Sequence, residues 1–98
     1  MIVVRDVFQL KFGKAKEALS LLKESLELSK KSGYKPDRLL TDLTGQYYTL
    51  IMEGTFKNLA DYESILSREM GNGDWKQWYQ KFTPLVESGR REIFTVVQ

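Results

Sequence analysis

Between Ile2 and Phe12 apolar residues alternate with the rest: Ile2, Val4, Phe8, Leu10 and Phe12 share one face of an extended chain, and Val3, Arg5, Val7, Gln9 and Lys11 share the other. Period two, with β-branched and aromatic residues, predicts a strand over 2–12 that Gly13 ends. Asp6 interrupts the apolar face. From Lys14 to Ser32 the period lengthens. Ala15, Ala18, Leu19, Leu22 and Leu26 fall at i, i+3, i+4, i+7 and i+11, the apolar stripe of an amphipathic helix, and Leu21 and Leu28 widen it. Ser32-Gly33 supplies a stop, with Gly33 suited to the left-handed C-terminal position, and Pro36 prevents continuation.

Two further apolar runs, 38–43 and 46–56, flank Thr44-Gly45 and predict a hairpin. In the second run Tyr48, Leu50, Met52 and Phe56 lie on one face, and Tyr47, Thr49, Ile51, Glu53 and Thr55 on the other. Apolar character on both faces predicts a central strand covered twice. Asn58 is a good N-cap, with Asp61 near the positive end of a helix that runs to Met70 and faces Leu59, Tyr62, Ile65, Leu66 and Met70 inward. Gly71-Asn72-Gly73 breaks it. Asp74 is expected to cap a short helix carrying Trp75, Trp78, Tyr79 and Phe82, which Pro84 ends. Gly89 then precedes a last strand over 91–97.

The order strand, helix, strand, strand, helix, helix, strand predicts an α+β fold. Each half is a strand–helix–strand unit whose right-handed crossover is expected to set its two parallel strands side by side with the helix on one face. Two such units give a ferredoxin-like four-stranded antiparallel sheet in βαββααβ order with helices on one face. The other face, holding Val3, Val7, Tyr47 and Ile51, is left open, and an apolar patch of that size marks an interface. A homodimer is therefore expected.

Ninety-eight residues make one domain, 1–98. There is no cysteine and no histidine, so disulfides, thiolate chemistry and a histidine-assisted serine nucleophile are excluded. The net charge is +2, from 15 basic and 13 acidic residues, and along the first helix Glu17, Glu24 and Glu27 are interleaved with the lysines. That is the pattern of a solvated helix face rather than of a nucleic-acid surface. No apolar run approaches the roughly 20 residues of a membrane span. The first residues read as a strand, not a signal peptide, because Arg5 and Asp6 fall within the apolar stretch. The expected location is the cytoplasm. No acidic cluster has metal-binding spacing and no Gly-rich phosphate loop is present, so neither metal nor cofactor is expected.

Asp6 is the first candidate for chemistry. A carboxylate on the apolar face of a central strand is costly unless paired or protonated, so Asp6 is either a pocket acid or base, or the partner of a nearby arginine, or a residue at the sheet's rim. Trp75, Trp78 and Tyr79, with Phe82, either line an apolar ligand cavity or form simple core. Tyr48 is a further candidate to place its hydroxyl in that cavity. Arg5, Tyr47, Ile51 and Glu53 fall on the open face as candidates for the dimer interface, with Arg5 and Glu53 expected in a subunit-bridging polar contact. Asp42 reads as a turn or edge residue. Arg90 and Arg91, placed just before the last strand, suit an anionic ligand or acids of a second subunit, the latter favoured.

The runs GKAKEALSLLKE, LLTDLTGQYYTLIMEGTF, LADYESIL and DWKQWYQKFTPLVESGRREIFTVV together resemble the dimeric α+β barrel superfamily. Within it they look most like small bacterial proteins of the NIPSNAP-like and antibiotic-biosynthesis-monooxygenase-like kind. The resemblance covers nearly the whole chain and rests on patterning and turns, not on catalytic motifs. It implies two sheets packed face to face across a two-fold axis, and a small-molecule cavity between the sheet and helices of each subunit. Haem-degrading members of the superfamily hold iron with a histidine, which this chain lacks. Its two asparagines, Asn58 and Asn72, sit in a cap and a loop, so no catalytic residue is carried over. Two functions stay open: a dimer that binds a small apolar or aromatic ligand, with a cofactor-independent monooxygenase-like activity, and a non-enzymatic homodimeric structural or interaction module.

Overall fold

Alternation and helical periodicity give four strands and three helices in the computed structural model, which describes residues 1–30, 34 and 36–98. Strand β1 spans Ile2–Leu10, helix α1 Ala15–Ser29, β2 Arg38–Thr41, β3 Thr49–Phe56, α2 Leu59–Met70 and α3 Gly73–Phe82. A 3₁₀ turn, Thr83–Leu85, then leads into β4, Val86–Thr95. The sheet order is β2-β3-β1-β4, antiparallel throughout. This is the ferredoxin-like βαββααβ arrangement expected from the sequence.

One expectation about the crossovers fails. β1 and β2 are parallel, yet they are not neighbours, because β3 lies between them. The reason is length. β3 pairs with β1 from Ile2↔Phe56 to Gln9↔Thr49, whereas β2 has four residues and pairs only with β3. The longer antiparallel ladder takes the central place. β1 and β3 are thus the inner strands and β2 and β4 the edges.

Several element boundaries also move. Phe12 lies beyond β1 and is largely exposed. The two-residue turn at Thr44-Gly45 is in fact a connection over 42–48. Asp42 closes it: its N–H donates to the Thr49 carbonyl at 3.2 Å, and its side chain accepts from the Thr49 N–H at 2.9 Å. Tyr48 and Gly45 there adopt positive φ, 59° and 100°. Asn72, not Asp74, caps α3, accepting from the Asp74 N–H at 2.8 Å. Asn58 caps α2 as expected, accepting from the Asp61 N–H. β4 starts at Val86, so Gly89, Arg90 and Arg91 lie inside the strand rather than before it. The stop at Ser32-Gly33 lies outside the described residues.

The alternating faces separate cleanly. Val4, Asp6, Phe8 and Leu10 of β1, with Leu50, Met52 and Phe56 of β3, lie beneath the helices. Leu10, Ala18, Leu22, Leu50, Trp78, Phe82 and Leu85 form one core cluster, and Val4, Tyr34, Phe56 and Tyr62 a second. Fully burying a side chain such as Leu22 or Leu50 contributes roughly 1.5–3 kcal/mol. Asp6 sits between the two clusters on β1. The buried line of α1 is Ala18, Leu22, Ser25 and Ser29, with Leu19 and Leu26 half-buried beside it. The helix is therefore rotated from the expected stripe, and two serines face inward. On α2 Tyr62 and Glu69 are buried and Ile65 and Leu66 half-buried toward the core, as expected for the three apolar ones, while Leu59 and Met70 are exposed.

Candidate ligand cavity between the sheet and the helices

The two inward serines, Asp6 and the aromatic side of α3 bound one cavity of about 310 Å³ between the sheet and the helices. Its aromatic wall comes from α3 and β1. Trp78 stacks on Phe82 with ring centres 4.9 Å apart, Trp75 stacks on Tyr79 at 4.8 Å, and Phe8 meets Phe82 edge-on at 5.3 Å. The Trp78 indole N–H donates to the Leu21 carbonyl of α1, which fixes the ring against that helix. Leu22, Leu26, Met52 and Leu66 complete the apolar lining. Gly89 lies opposite Phe8 in the β1–β4 ladder, where a Cβ would stand 3.2 Å from the Phe8 ring. Glycine there leaves room for the ring.

The polar lining gathers along one side. Asp6, 6% exposed, accepts from Arg91 Nε at 2.7 Å. Their register across β1 and β4 puts both on the helix side of the sheet. Burial works against the charge on Arg91, but the hydrogen bond and the negative charge of Asp6 outweigh it and hold the guanidinium protonated. The same guanidinium lies 5.6 Å from the centre of the Tyr62 ring. Ser25 donates to the Leu22 carbonyl at 2.7 Å, and Ser29 donates to the buried carboxylate of Glu69 at 2.5 Å, tying α1 to α2. Burial pushes the Tyr34 phenol up, and the charge of Asp6 adds to the effect, so it stays a neutral O–H. Tyr62 is raised as well, chiefly by burial. Its hydroxyl is buried with no hydrogen-bond partner among the described residues.

Of the residues singled out from the sequence, Asp6, Trp75, Trp78 and Tyr79 line this cavity together. Tyr48 does not. It packs on Phe12 with ring centres 4.9 Å apart, and its carbonyl accepts from the Leu10 N–H. Arg91 reaches the cavity and its acid belongs to the same chain. Ser25, Ser29, Tyr34 and Glu69 were not anticipated. Ser25 and Ser29 did carry a signal, since Ala18, Leu22, Ser25 and Ser29 repeat at i, i+4, i+7 and i+11.

The opposite face is built differently. Arg5 donates to Glu53 at 2.8 Å, Arg38 donates to the other oxygen of Glu53 at 2.8 Å, and Glu92 lies 3.9 Å from Arg5 and 3.4 Å from Arg90. Arg5 and Glu53 thus bond within one chain. The hydrogen bond from Arg38 holds the Glu53 carboxyl below its usual range. Burial opposes this, and Arg5 reinforces it. Ile51 is half-buried on this side, with Leu40 and Phe94 exposed; Tyr47, expected here, lies outside β3 in the 42–48 connection, its exposed ring 6.3 Å from those of Phe12 and Tyr48.

Among the described residues no group of three or more His, Cys, Asp or Glu side chains could hold a metal ion, and no helix is long and apolar enough to cross a membrane.

The chain thus carries three helices on one face of a ferredoxin-like sheet, with a cavity beneath them. Comparison with solved structures makes this specific: the chain has the fold of NIPSNAP-family proteins and of antibiotic biosynthesis monooxygenases. It is similar to an uncharacterised NIPSNAP domain protein from Burkholderia xenovorans, with a TM-score of 0.92 at 13% identity over 99% of this chain and 95% of that one. A NIPSNAP family protein of unknown function from Agrobacterium tumefaciens gives 0.89 at 20% identity, covering 96% of this chain and 86% of the other. A cofactor-independent oxygenase from Streptomyces nogalater gives 0.73 at 12% identity, over 99% and 93%. No family model and no curated protein sequence matches the chain.

Proposed function

We propose that this protein binds a small apolar or aromatic ligand in the cavity between sheet and helices, and that it does so as a homodimer. The observation that carries the first part is the cavity itself. Its volume, about 310 Å³, suits a small organic molecule, and its apolar aromatic wall faces a few convergent polar groups at Asp6, Arg91 and Tyr34. The dimer is supported by the open face of the sheet, where Leu40 and Phe94 are exposed beside half-buried Ile51. Sedimentation equilibrium at micromolar concentration is expected to give twice the chain mass. A single-chain species would overturn the dimer.

The Streptomyces oxygenase of the same fold supports a further reading, in which the bound ligand reacts with dioxygen. Such a reaction needs a substrate that supplies its own electrons, so the protein has only to bind it, deprotonate it and exclude water. Asp6 is the carboxylate best placed to take that proton, yet it is held by Arg91 at 2.7 Å. That bond favours binding over turnover.

The test is a titration with 2-naphthol, a neutral two-ring probe of suitable size, followed by thermal unfolding and tryptophan fluorescence. Binding to the folded state alone raises the melting temperature, and a ligand beside Trp75 and Trp78 changes their emission. No response from either measurement would favour the non-enzymatic structural module. Recovery of an oxygenated product after aerobic incubation would shift the reading from binding to turnover.

A further inference from the structure

We propose that the cavity selects planar aromatic carboxylates, and that Arg91 is the residue that reads the carboxylate. This rests on the ligand-binding reading above and names the class of ligand.

The inference comes from which polar groups of the lining are already engaged. Ser25 donates to the Leu22 carbonyl, Ser29 to Glu69, and the Trp78 N–H to the Leu21 carbonyl. Both carboxylates of the lining accept from protein donors, Asp6 from Arg91 and Glu69 from Ser29. Arg91 is different. It bonds Asp6 through Nε alone, and an arginine has five N–H donors. Its two terminal NH₂ groups make no bond to a carboxylate among the described residues, and its side chain is 46% exposed at the cavity wall. The bond to buried Asp6 fixes one edge of a planar group whose other edge stays open. A preorganised guanidinium edge matches the two oxygens of a carboxylate. Beside it, Tyr34 presents a phenol that stays protonated and can only donate to an anion.

The rest of the cavity sets the ligand's other end. The stacked pairs Trp78–Phe82 and Trp75–Tyr79 are flat apolar walls, which suit a ring system. A cationic ring would meet the guanidinium of Arg91. A neutral ring leaves the open edge of Arg91 to water.

The experiment compares three probes of one shape on the unmodified protein by calorimetric titration: 2-naphthoate, 2-naphthol and 2-naphthylmethylamine. Charge-assisted hydrogen bonds predict that naphthoate binds about tenfold to a hundredfold more tightly than naphthol, with the amine weakest. In Arg91→Gln the naphthoate-to-naphthol ratio should collapse toward one, and Arg91→Lys should restore only part of it, because an ammonium is a point charge without the fork. If the glutamine variant does not fold, the probe series on the unmodified protein decides alone. Naphthol or the amine binding as tightly as naphthoate overturns this inference while leaving ligand binding intact. Failure of all three to bind overturns both.

Discussion

Two acidic residues occupy the middle strands of the sheet, and both are buried: Asp6 of β1 on the helix side and Glu53 of β3 on the open side. Their surroundings differ. Glu53 is clamped at both oxygens, by Arg5 and by Arg38, in a ladder that continues through Glu92 to Arg90. Asp6 takes one arginine bond, from Arg91, at the edge of a cavity. A carboxylate bonded at both oxygens by arginines of the two flanking strands holds three strands in register. A carboxylate that fixes a single edge of an arginine leaves the other edge available. The same residue chemistry thus makes a structural clamp on one face and an anchor on the other. The difference lies in what each face carries: helices around a cavity on one side, and a row of paired charges on the other.

The largest effect that separates the faces should come from neighbours on β3. Leu50 is fully buried beneath the helices, so Leu50→Ala is expected to lower stability by about 2–5 kcal/mol in urea unfolding. Ile51, one residue on, points to the open face, and Ile51→Ala should cost clearly less at low protein concentration. Equal losses would break the distinction.

Next is the clamp. Glu53→Gln removes the charge both arginines bond, at a cost of about 1–3 kcal/mol. The pH dependence follows from the lowered carboxyl. The unfolded chain binds the proton more readily than the folded one, so the contribution of Glu53 is complete above its ordinary value of 4.5 and is lost as pH falls below that. Stability curves of the native protein and of Glu53→Gln should therefore converge in acid. Curves that stay parallel from pH 7 to pH 3 would contradict the clamp.

A smaller effect, about 1 kcal/mol, is expected from Gly89→Ala, since the new methyl would press on the Phe8 ring at 3.2 Å. The smallest is Tyr62→Phe. Its hydroxyl is buried without a partner among the described residues, so removing it should leave stability unchanged or raise it by up to about 1 kcal/mol. A loss of several kcal/mol would mean that the hydroxyl has a bonded partner.

The order and type of the elements were legible because period-two and period-3.6 patterns are strong in β1, β3 and α1. The neighbour relation of β1 and β2 was not, because it depends on ladder length and not on local pattern. The beginning of β4 was hidden by Gly89, which reads as a break until Phe8 is seen across from it. Asp6 announced itself as a charge on an apolar face, and an arginine partner was one of its readings. Which arginine could not be read, since Arg91 is 85 residues away and is brought there only by the β1–β4 register. Ser25 and Ser29 were overlooked because small polar residues blend with the solvated side of a helix. Their spacing with Ala18 and Leu22 is the trace they left.

The most direct test is to fill the cavity. Ser25 faces it from α1, so Ser25→Phe places a ring where the ligand would lie. With 2-naphthol at saturating concentration, the melting temperature of the native protein should rise, and that of folded Ser25→Phe should not move. A native protein that does not respond, or a filled variant that responds equally, would contradict a ligand site between the sheet and the helices.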